Sequence, residues 1–193
     1  EIHIFTQPST RNKTIYDYNV NMLRTTSECM SAILGGANTV NNLSYDATYH
    51  KKNEFGERIS RNQLLILQQE SYLESANTIA NGSYYIESIT NQLADKALLI
   101  FKDIEKGGGF LKQLKEGVIQ RKITESATKE QNKFDTNEVI LLGTNKQPNN
   151  DDAMKSDIEF YPFLKTKPIK TLVSPILKKR LAEAYEKQRL ENE

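Results

Sequence analysis

A chain of 193 residues is long enough for one domain with a sizeable core. Its 26 basic residues nearly balance its 25 acidic ones, and the net charge of +1 excludes a long-range field that would attract nucleic acid or an anionic membrane. No apolar run approaches the roughly 18 residues of a membrane span, and no secretory signal is visible. The single cysteine, Cys29, rules out an intrachain disulfide. We therefore expect a cytoplasmic protein with no nucleic-acid and no membrane partner.

The first 43 residues predict a strand, a helix and a second strand. Residues 2–6 are apolar enough for a buried strand, and residues 39–43 have the character of another. Between them, Asp17 can cap a helix that ends at Gly35-Gly36, because glycine tolerates the left-handed conformation of a helix terminus. Because the chain starts without methionine on a strand, we interpret it as a piece of a longer protein.

The middle of the chain predicts three helices. Residues 57–70 form the first, and a further helix runs over residues 110–134 with Gly117 as its point of disturbance. The helix between these two has the strongest periodicity, and the glycines at 107–109 stop it. Its aliphatic residues recur at spacings of three and four and form one stripe: Ile86, Ile89, Leu93, Ala97, Ile100 and Ile104.

The last quarter of the chain predicts a strand, an irregular segment and a helix. Residues 138–142 read as the strand, followed by a turn. The segment up to residue 171 is interrupted by Pro148, Pro162 and Pro168, and Ser174-Pro175 then begins the final helix as N-cap and first helical residue. Strands alternating with helices are typical of a parallel α/β protein, although only about three strands are visible against the eight of a closed barrel.

No catalytic or ligand-binding residue is indicated by spacing alone. The chain has no GxGxxG, Walker, HExxH or CxxC motif. His3 is expected to be a packed histidine, His50 a solvated one, and Cys29 a small core residue rather than a nucleophile. Asp151-Asp152 is interpreted as a solvated loop, and the basic run Lys178-Lys179-Arg180 as the solvent-exposed face of a helix. We therefore predict no catalytic, no cofactor-binding and no metal-binding residue.

Three ordered segments of the chain carry a resemblance to a known family. Residues 17–26, leading to Gly35-Gly36, are similar to a D-P-Y-x-N-x-x-R-T segment followed by a helix that ends in two glycines. Residues 58–71 are similar to R-I/V-A-R-N-T-Q-x-x-L-Q-E-E-S, and residues 81–90 to G-G-S-Y-Y-V-E-x-L-T. Together they resemble the methylmalonyl-CoA mutase family.

This resemblance implies a fold and a chemistry. Residues 1–146 would form the C-terminal half of the acyl-CoA mutase barrel, a (β/α)8 TIM barrel, and residues 147–193 an extended linker with a terminal helix. The family isomerises methylmalonyl-CoA and succinyl-CoA by a radical route with adenosylcobalamin, which supplies the chemistry while the protein orients and seals it. Cobalamin lies on a separate domain bearing a D-x-H-x-x-G motif, and this chain has no such motif.

The chain departs from the large subunits of the family at residues that face the active site. Gap-free alignment puts Phe5 in place of the histidine of an H-C-Q-T-S-G loop, and phenylalanine can neither donate a hydrogen bond nor carry a proton. Asn41 stands for the histidine of L-H-T-N, and Leu64 for the glutamine of R-N-T-Q. The resemblance therefore implies a small, non-catalytic subunit that pairs with a catalytic large subunit, which would bind the cobalamin.

Two alternatives remain open at this stage. The chain could belong to a catalytic acyl-CoA mutase whose site lies partly outside it, or it could be a generic α/β interaction domain. We also expect the isolated chain to self-associate, because a half-barrel has open sheet edges at residues 2–6.

Overall fold

Residues 2–164 and 170–193, which the computed structural model of the protein describes, contain six α-helices and one pair of short strands. They divide into two units. The first unit contains residues 2–79, 140–164 and 178–193, and the second contains residues 80–139 and 170–177. The mixture of helices with parallel strands confirms the α/β class that the sequence predicts.

The two strands lie at the start of the first unit. Strand β1 (Phe5–Thr6) pairs in parallel with β2 (Thr39–Val40), and helix α1 (Val20–Leu34) connects them. The expected capping by Asp17 is wrong, because Asp17 has a positive φ of 45° and Asn19 precedes the helix instead. The C-terminal end is as expected, with Gly35 as the C-cap and Gly36 in the left-handed conformation, at a φ of 78°.

Helix α2 (Glu54–Leu65) is capped at its N-terminus by Asn53, whose side chain accepts a hydrogen bond from the Gly56 N–H at 2.7 Å. It therefore starts at Glu54 rather than at the expected Glu57. A π-helical turn over Ile66–Glu70 continues it, and a 3-10 segment over Leu73–Thr78 follows.

The second unit contains the helices α3 (Tyr84–Lys106), α4 (Phe110–Lys115) and α5 (Val118–Asp135). The single helix expected over residues 110–134 is divided at Gly117, whose φ of 76° is left-handed and ends the first piece. Helix α3 ends at Gly107, as the sequence predicts, and yet none of its described residues is buried.

The strand expected at residues 138–142 does not form. The amide groups of Glu138 and Val139 both donate to the carbonyl of Lys133 and so complete the end of α5. Leu142 makes only an isolated bridge to Lys146. The backbone groups that a strand would need are already used by this helix terminus and turn.

The final helix, α6, spans Glu183–Asn192 and does not begin at Ser174-Pro175 as the sequence predicts. The chain before it is held in a non-helical conformation by tertiary contacts. The Leu181 N–H donates to the carbonyl of Arg11 at 2.9 Å, and the Arg180 guanidinium donates to the carbonyl of Lys13 at 3.0 Å. Pro168, one of the predicted helix breakers, lies outside the described residues.

The core of the first unit joins early and late parts of the chain. Residues near 15, 49, 154 and 163 form its buried centre, with further partly buried side chains around it. Its members are Ile15, Tyr16, Tyr49, Met154 and Phe163, packed against Tyr18, Ile158 and Leu190. The late residues of the chain therefore belong to the same core as the loop before α1.

Candidate functional site

The carboxyl ends of β1 and β2 meet at one edge, where α/β proteins commonly place their sites. The Asn41 N–H donates to the carbonyl of Thr6 at 2.9 Å, so the residue after β2 lies beside the end of β1. Phe5 is 59% exposed, and Asn41 is exposed as well. Two of the three residues that depart from the mutase pattern are thus close in the fold, and neither can act as an acid or base.

Leu64, the third departure, belongs to a different surface. It lines a cavity of 490 Å³ together with Val40 and with residues that precede β2, among them Ile33 and Gly36. Neither Phe5 nor Asn41 lines that cavity. Among the described residues, the structure therefore brings Phe5 and Asn41 to one strand edge and leaves Leu64 apart from them.

The amide of Gln63, next to Leu64, is buried and links α2 to α1. Its oxygen accepts from Asn42 Nδ2 at 2.8 Å, and its nitrogen donates to the hydroxyls of Thr25 at 2.9 Å and Thr26 at 2.7 Å. The same nitrogen donates to the carbonyl of Met22. Gln63 thus fixes the loop after β2 against α1, a structural role that the sequence motif alone does not reveal.

A second buried polar cluster is centred on Asn21, which is 0% exposed. Its amide nitrogen donates to the carbonyls of Thr14 at 2.8 Å and Tyr45 at 3.1 Å, and its oxygen accepts from the Thr14 N–H and from Arg24. Asn21 and Arg24 both lie in the first family-like segment. Arg24 also donates to the carbonyl of Leu142, so the two side chains together hold the loops around α1.

His50 is clamped between two acidic residues, which corrects its interpretation as a solvated histidine. Its Nδ1 lies 3.2 Å from Asp46 Oδ2, and its Nε2 lies 3.0 Å from the carbonyl and 3.3 Å from Oδ1 of Asp157. Burial by itself lowers the pKa of His50, but the hydrogen bonds to Asp46 and Asp157 outweigh burial, so the pKa is raised. His50 also borders a cavity of 330 Å³ at the start of α2, with Asn42, Ser44 and Asn53.

His3 differs from its expected environment too. It is exposed rather than packed, and its Nε2 lies 3.0 Å from the hydroxyl of Thr39 on β2. Strand β1 has only one neighbour in the two-stranded sheet, so its first residues are not covered by other strands of the described chain.

Cys29 is a buried thiol, as expected. It is 1% exposed, and burial followed by the nearby Glu28 carboxylate raises its pKa to about 11. The thiol is therefore protonated at neutral pH and is a poor nucleophile. It borders a cavity of 340 Å³ between α1 and the loop after β1, together with Gln7, Pro8 and Ala32.

The basic run at residues 178–180 is not the solvent-exposed face of a helix. It precedes α6, and its last residue, Arg180, is buried. Arg180 Nη1 lies 2.5 Å from Glu186 Oε2, and both side chains are almost fully buried. Glu186 also accepts from the Ile15 N–H at 2.9 Å. Burial raises the pKa of Glu186, because loss of hydration outweighs the opposing effects of Arg180 and the Ile15 N–H.

Asp151 and Asp152 have different environments. Asp151 is exposed, as expected, whereas the carboxylate of Asp152 accepts from the Asp17 N–H at 2.6 Å. Within residues 2–164 and 170–193, no group of three or more His, Cys, Asp or Glu side chains could hold a metal ion. In the same part of the chain, no helix is both long enough and apolar enough to cross a membrane.

The parallel strands joined by a helix place the protein in the α/β class. Comparison with known proteins then defines the family. A family model described as methylmalonyl-CoA mutase matches residues 1–188. The chain belongs to the methylmalonyl-CoA mutase family.

Curated relatives agree with this assignment. The methylmalonyl-CoA mutase small subunit of Porphyromonas gingivalis is 38% identical over 149 residues, which are 77% of this chain and 24% of that protein. The methylmalonyl-CoA mutase of Rhizobium meliloti is 40% identical over 129 residues, and that of Escherichia coli 36%. Each of these two matches covers 67% of this chain and 18% of the relative. The chain thus spans a quarter or less of the length of these relatives.

Proposed function

We propose that this chain is part of the small, non-catalytic subunit of an adenosylcobalamin-dependent methylmalonyl-CoA mutase, in the cytoplasm. The subunit would support a catalytic large subunit in a heterodimer. The similarity to a protein named a small subunit supports this assignment, at 38% identity over 77% of the chain. Isomerisation of methylmalonyl-CoA and succinyl-CoA would be the activity of the assembly.

The edge of the β1–β2 pair is the observation that carries the proposal. Phe5 and Asn41 take the positions where the family resemblance places histidines, and the structure has them at the same edge. A phenyl ring and an amide offer no titratable group at neutral pH, so neither Phe5 nor Asn41 can transfer a proton. Loss of both imidazoles from one place fits a subunit that keeps the fold and has given up the chemistry.

We further propose that residues 1–146 are the C-terminal portion of a (β/α)8 barrel and that residues 147–193 follow the barrel. The parallel pairing of β1 with β2 through α1 is the repeating unit of such a barrel. In this proposal the segment after residue 146 is a linker with a terminal helix that folds back, because Met154, Phe163 and Leu190 pack on the loop before α1.

The chain lacks the D-x-H-x-x-G motif that the family resemblance associates with cobalamin binding. His50 does not fit as a cobalt ligand either, because it uses both ring nitrogens for Asp46 and Asp157. A free imidazole nitrogen is what a cobalt ion requires from histidine. We therefore propose that adenosylcobalamin, which supplies the radical chemistry, is bound by the large subunit.

A catalytic mutase whose site lies partly outside this chain is the second candidate. It is favoured by the 40% identity to the mutase of Rhizobium meliloti, which is at least as high as the identity to the small subunit. The buried Asn21 and Gln63 clusters lie in the family-like segments and would serve either protein as a scaffold.

Assembly with the large subunit tests the proposed role. The full-length protein that contains this chain would be mixed with the large subunit and followed by sedimentation velocity, with each protein alone at the same concentration as the control. We expect a complex of one copy of each, formed at the expense of both free species. Separate sedimentation of the two proteins at micromolar concentration would contradict the proposal.

A further inference from the structure

The loop over residues 44–53 is in contact with the late segment Asp157–Phe160. The Glu159 and Phe160 amides donate to the carbonyl of Tyr49 at 3.0 and 3.2 Å, and the Lys51 N–H donates to the Glu159 carboxylate at 2.6 Å. His50 lies in the middle of this contact and joins Asp46 in the loop to Asp157 in the segment.

Both ring nitrogens of His50 face acceptors only. Nδ1 faces a carboxylate oxygen of Asp46, and Nε2 faces the carbonyl and a carboxylate oxygen of Asp157. A neutral imidazole carries a single N–H, so one of these contacts would then set a lone pair against an oxygen. Only the imidazolium form satisfies both sides of the contact.

We propose that His50 is a pH-sensitive latch that helps to hold the Asp157–Phe160 segment on the loop over residues 44–53 and loosens it when the imidazole loses its proton. The geometry decides which contact is lost. Asp46 is 3% exposed and also accepts from Asn53 Nδ2 at 2.6 Å, whereas the Asp157 side chain is 44% exposed. The remaining N–H stays on the buried Asp46 carboxylate, because an unpaired buried carboxylate costs more than a solvated one. Deprotonation therefore loosens the segment.

Other groups around His50 affect the pH at which its imidazole loses the proton. The charged groups around it come from its own loop, from the start of α2 and from the segment: Asp46, Lys51, Lys52, Glu57, Asp157 and Glu159. The Tyr49 ring lies against His50, and the phenols of Tyr18 and Tyr45 lie near its partners Asp46 and Asp157. Four of the charged groups are carboxylates and two are lysines, so the surroundings favour the cationic imidazole.

The sign of the effect follows from the raised pKa of His50. A histidine whose pKa is higher in the folded than in the unfolded chain contributes stability fully below its ordinary value near 6.5. That contribution is lost as the pH rises through the raised folded pKa. The latch is therefore closed at mildly acidic pH and open at alkaline pH.

Hydrogen exchange of the full chain tests the latch. Protection factors of the Glu159 and Phe160 amides, which divide out the intrinsic pH dependence, would be measured between pH 6 and pH 9. We expect them to fall roughly twofold to fivefold across this range, the effect of losing one partly exposed charge pair. His50→Gln should remove the dependence, and Asp157→Asn should weaken it even where His50→Gln fails to fold.

His3→Gln is the matched control, since His3 is the other histidine of the chain and lies exposed before strand β1. This variant should keep the full pH dependence of the Glu159 and Phe160 amides. Protection that is flat with pH in the unaltered chain would overturn the latch. An unchanged dependence in folded His50→Gln or Asp157→Asn would also overturn it.

Discussion

Glu186 illustrates how a single side chain joins distant parts of this chain. It lies on α6, pairs with Arg180 and accepts from the Ile15 N–H, in a site where both charged side chains are almost fully buried. Arg180 also donates to the carbonyl of Lys13. The pair therefore ties the start of α6 to the loop that precedes α1.

Removing the Glu186 carboxylate should lower the stability of the fold. Glu186→Ala leaves the Arg180 charge buried without a partner, so we expect the free energy of unfolding to fall by about 3–5 kcal/mol in urea titration. Glu191→Ala, an exposed position on the same helix, is the control and should change stability by less than about 0.5 kcal/mol. Equal stability of the two variants would mean that the pair does not hold α6.

Only part of the candidate site could be predicted at the scale of residues. Cys29 was expected to be a small core residue, and it is buried. The roles of Asn21 and Gln63 could not be assigned, although both lie in the family-like segments, because their partners come from other loops and helices. His50 and Asp157 are separated by 107 positions along the chain, a contact that no local pattern indicates.

At the scale of elements, the start of α2 depends on close packing at Gly56. A Cβ at this position would overlap with Ser44 Oγ and lie 2.8 Å from Asp46 Oδ1. The Ser44 hydroxyl donates to the same Asp46 carboxylate. Glycine is therefore required here because side chains of the loop after β2 pack directly against this position, although glycine is normally a poor helix residue.

This packing predicts the effect of substitution. Alanine gains about 1 kcal/mol in helix propensity, but overlap in a packed site costs about 1–3 kcal/mol, so Gly56→Ala should lower the stability by up to about 2 kcal/mol. Ser44→Ala combined with Gly56→Ala removes the closest contact and should recover part of the loss, as a double-mutant cycle in thermal unfolding would show. A stabilising Gly56→Ala would contradict the packing described here.

Helices were predicted better than strands because their signals are local. The glycines at 35, 107–109 and 117 stop helices where the sequence indicates. The strand expected at residues 138–142 fails because the amides of Glu138 and Val139 cap α5. The last helix begins at Glu183 instead of Ser174, since contacts of Arg180 and Leu181 with the loop before α1 override the local N-cap signal.

At the scale of the whole molecule, exposed apolar surface is the dominant feature of helix α3. Leu93 is 63% exposed and Ile100 is 58% exposed, and both belong to the predicted stripe. Burying an aliphatic side chain of this size is worth about 1.5–3 kcal/mol, against a total stability of about 5–15 kcal/mol for a typical domain. A surface of this kind favours association.

We therefore expect the isolated 193-residue chain to self-associate as its concentration rises, which light scattering would detect as an increase in mean mass. Leu93→Glu with Ile100→Glu should shift the distribution towards the monomer, since charges are costly to bury. Asn91→Glu, which adds one charge off the stripe, should change the distribution far less. A compact, monodisperse monomer of the unaltered chain at all concentrations would contradict this expectation.

The proposed function is that of a mutase subunit without catalytic groups of its own. The most direct measurement is succinyl-CoA formation from methylmalonyl-CoA by the full-length protein alone, with adenosylcobalamin supplied, for the unaltered sequence and for Phe5→His. We predict no turnover from either protein, because one restored imidazole cannot replace groups that act as a unit. Turnover by the unaltered protein would contradict the proposal, and turnover by Phe5→His would show that the remaining site is intact.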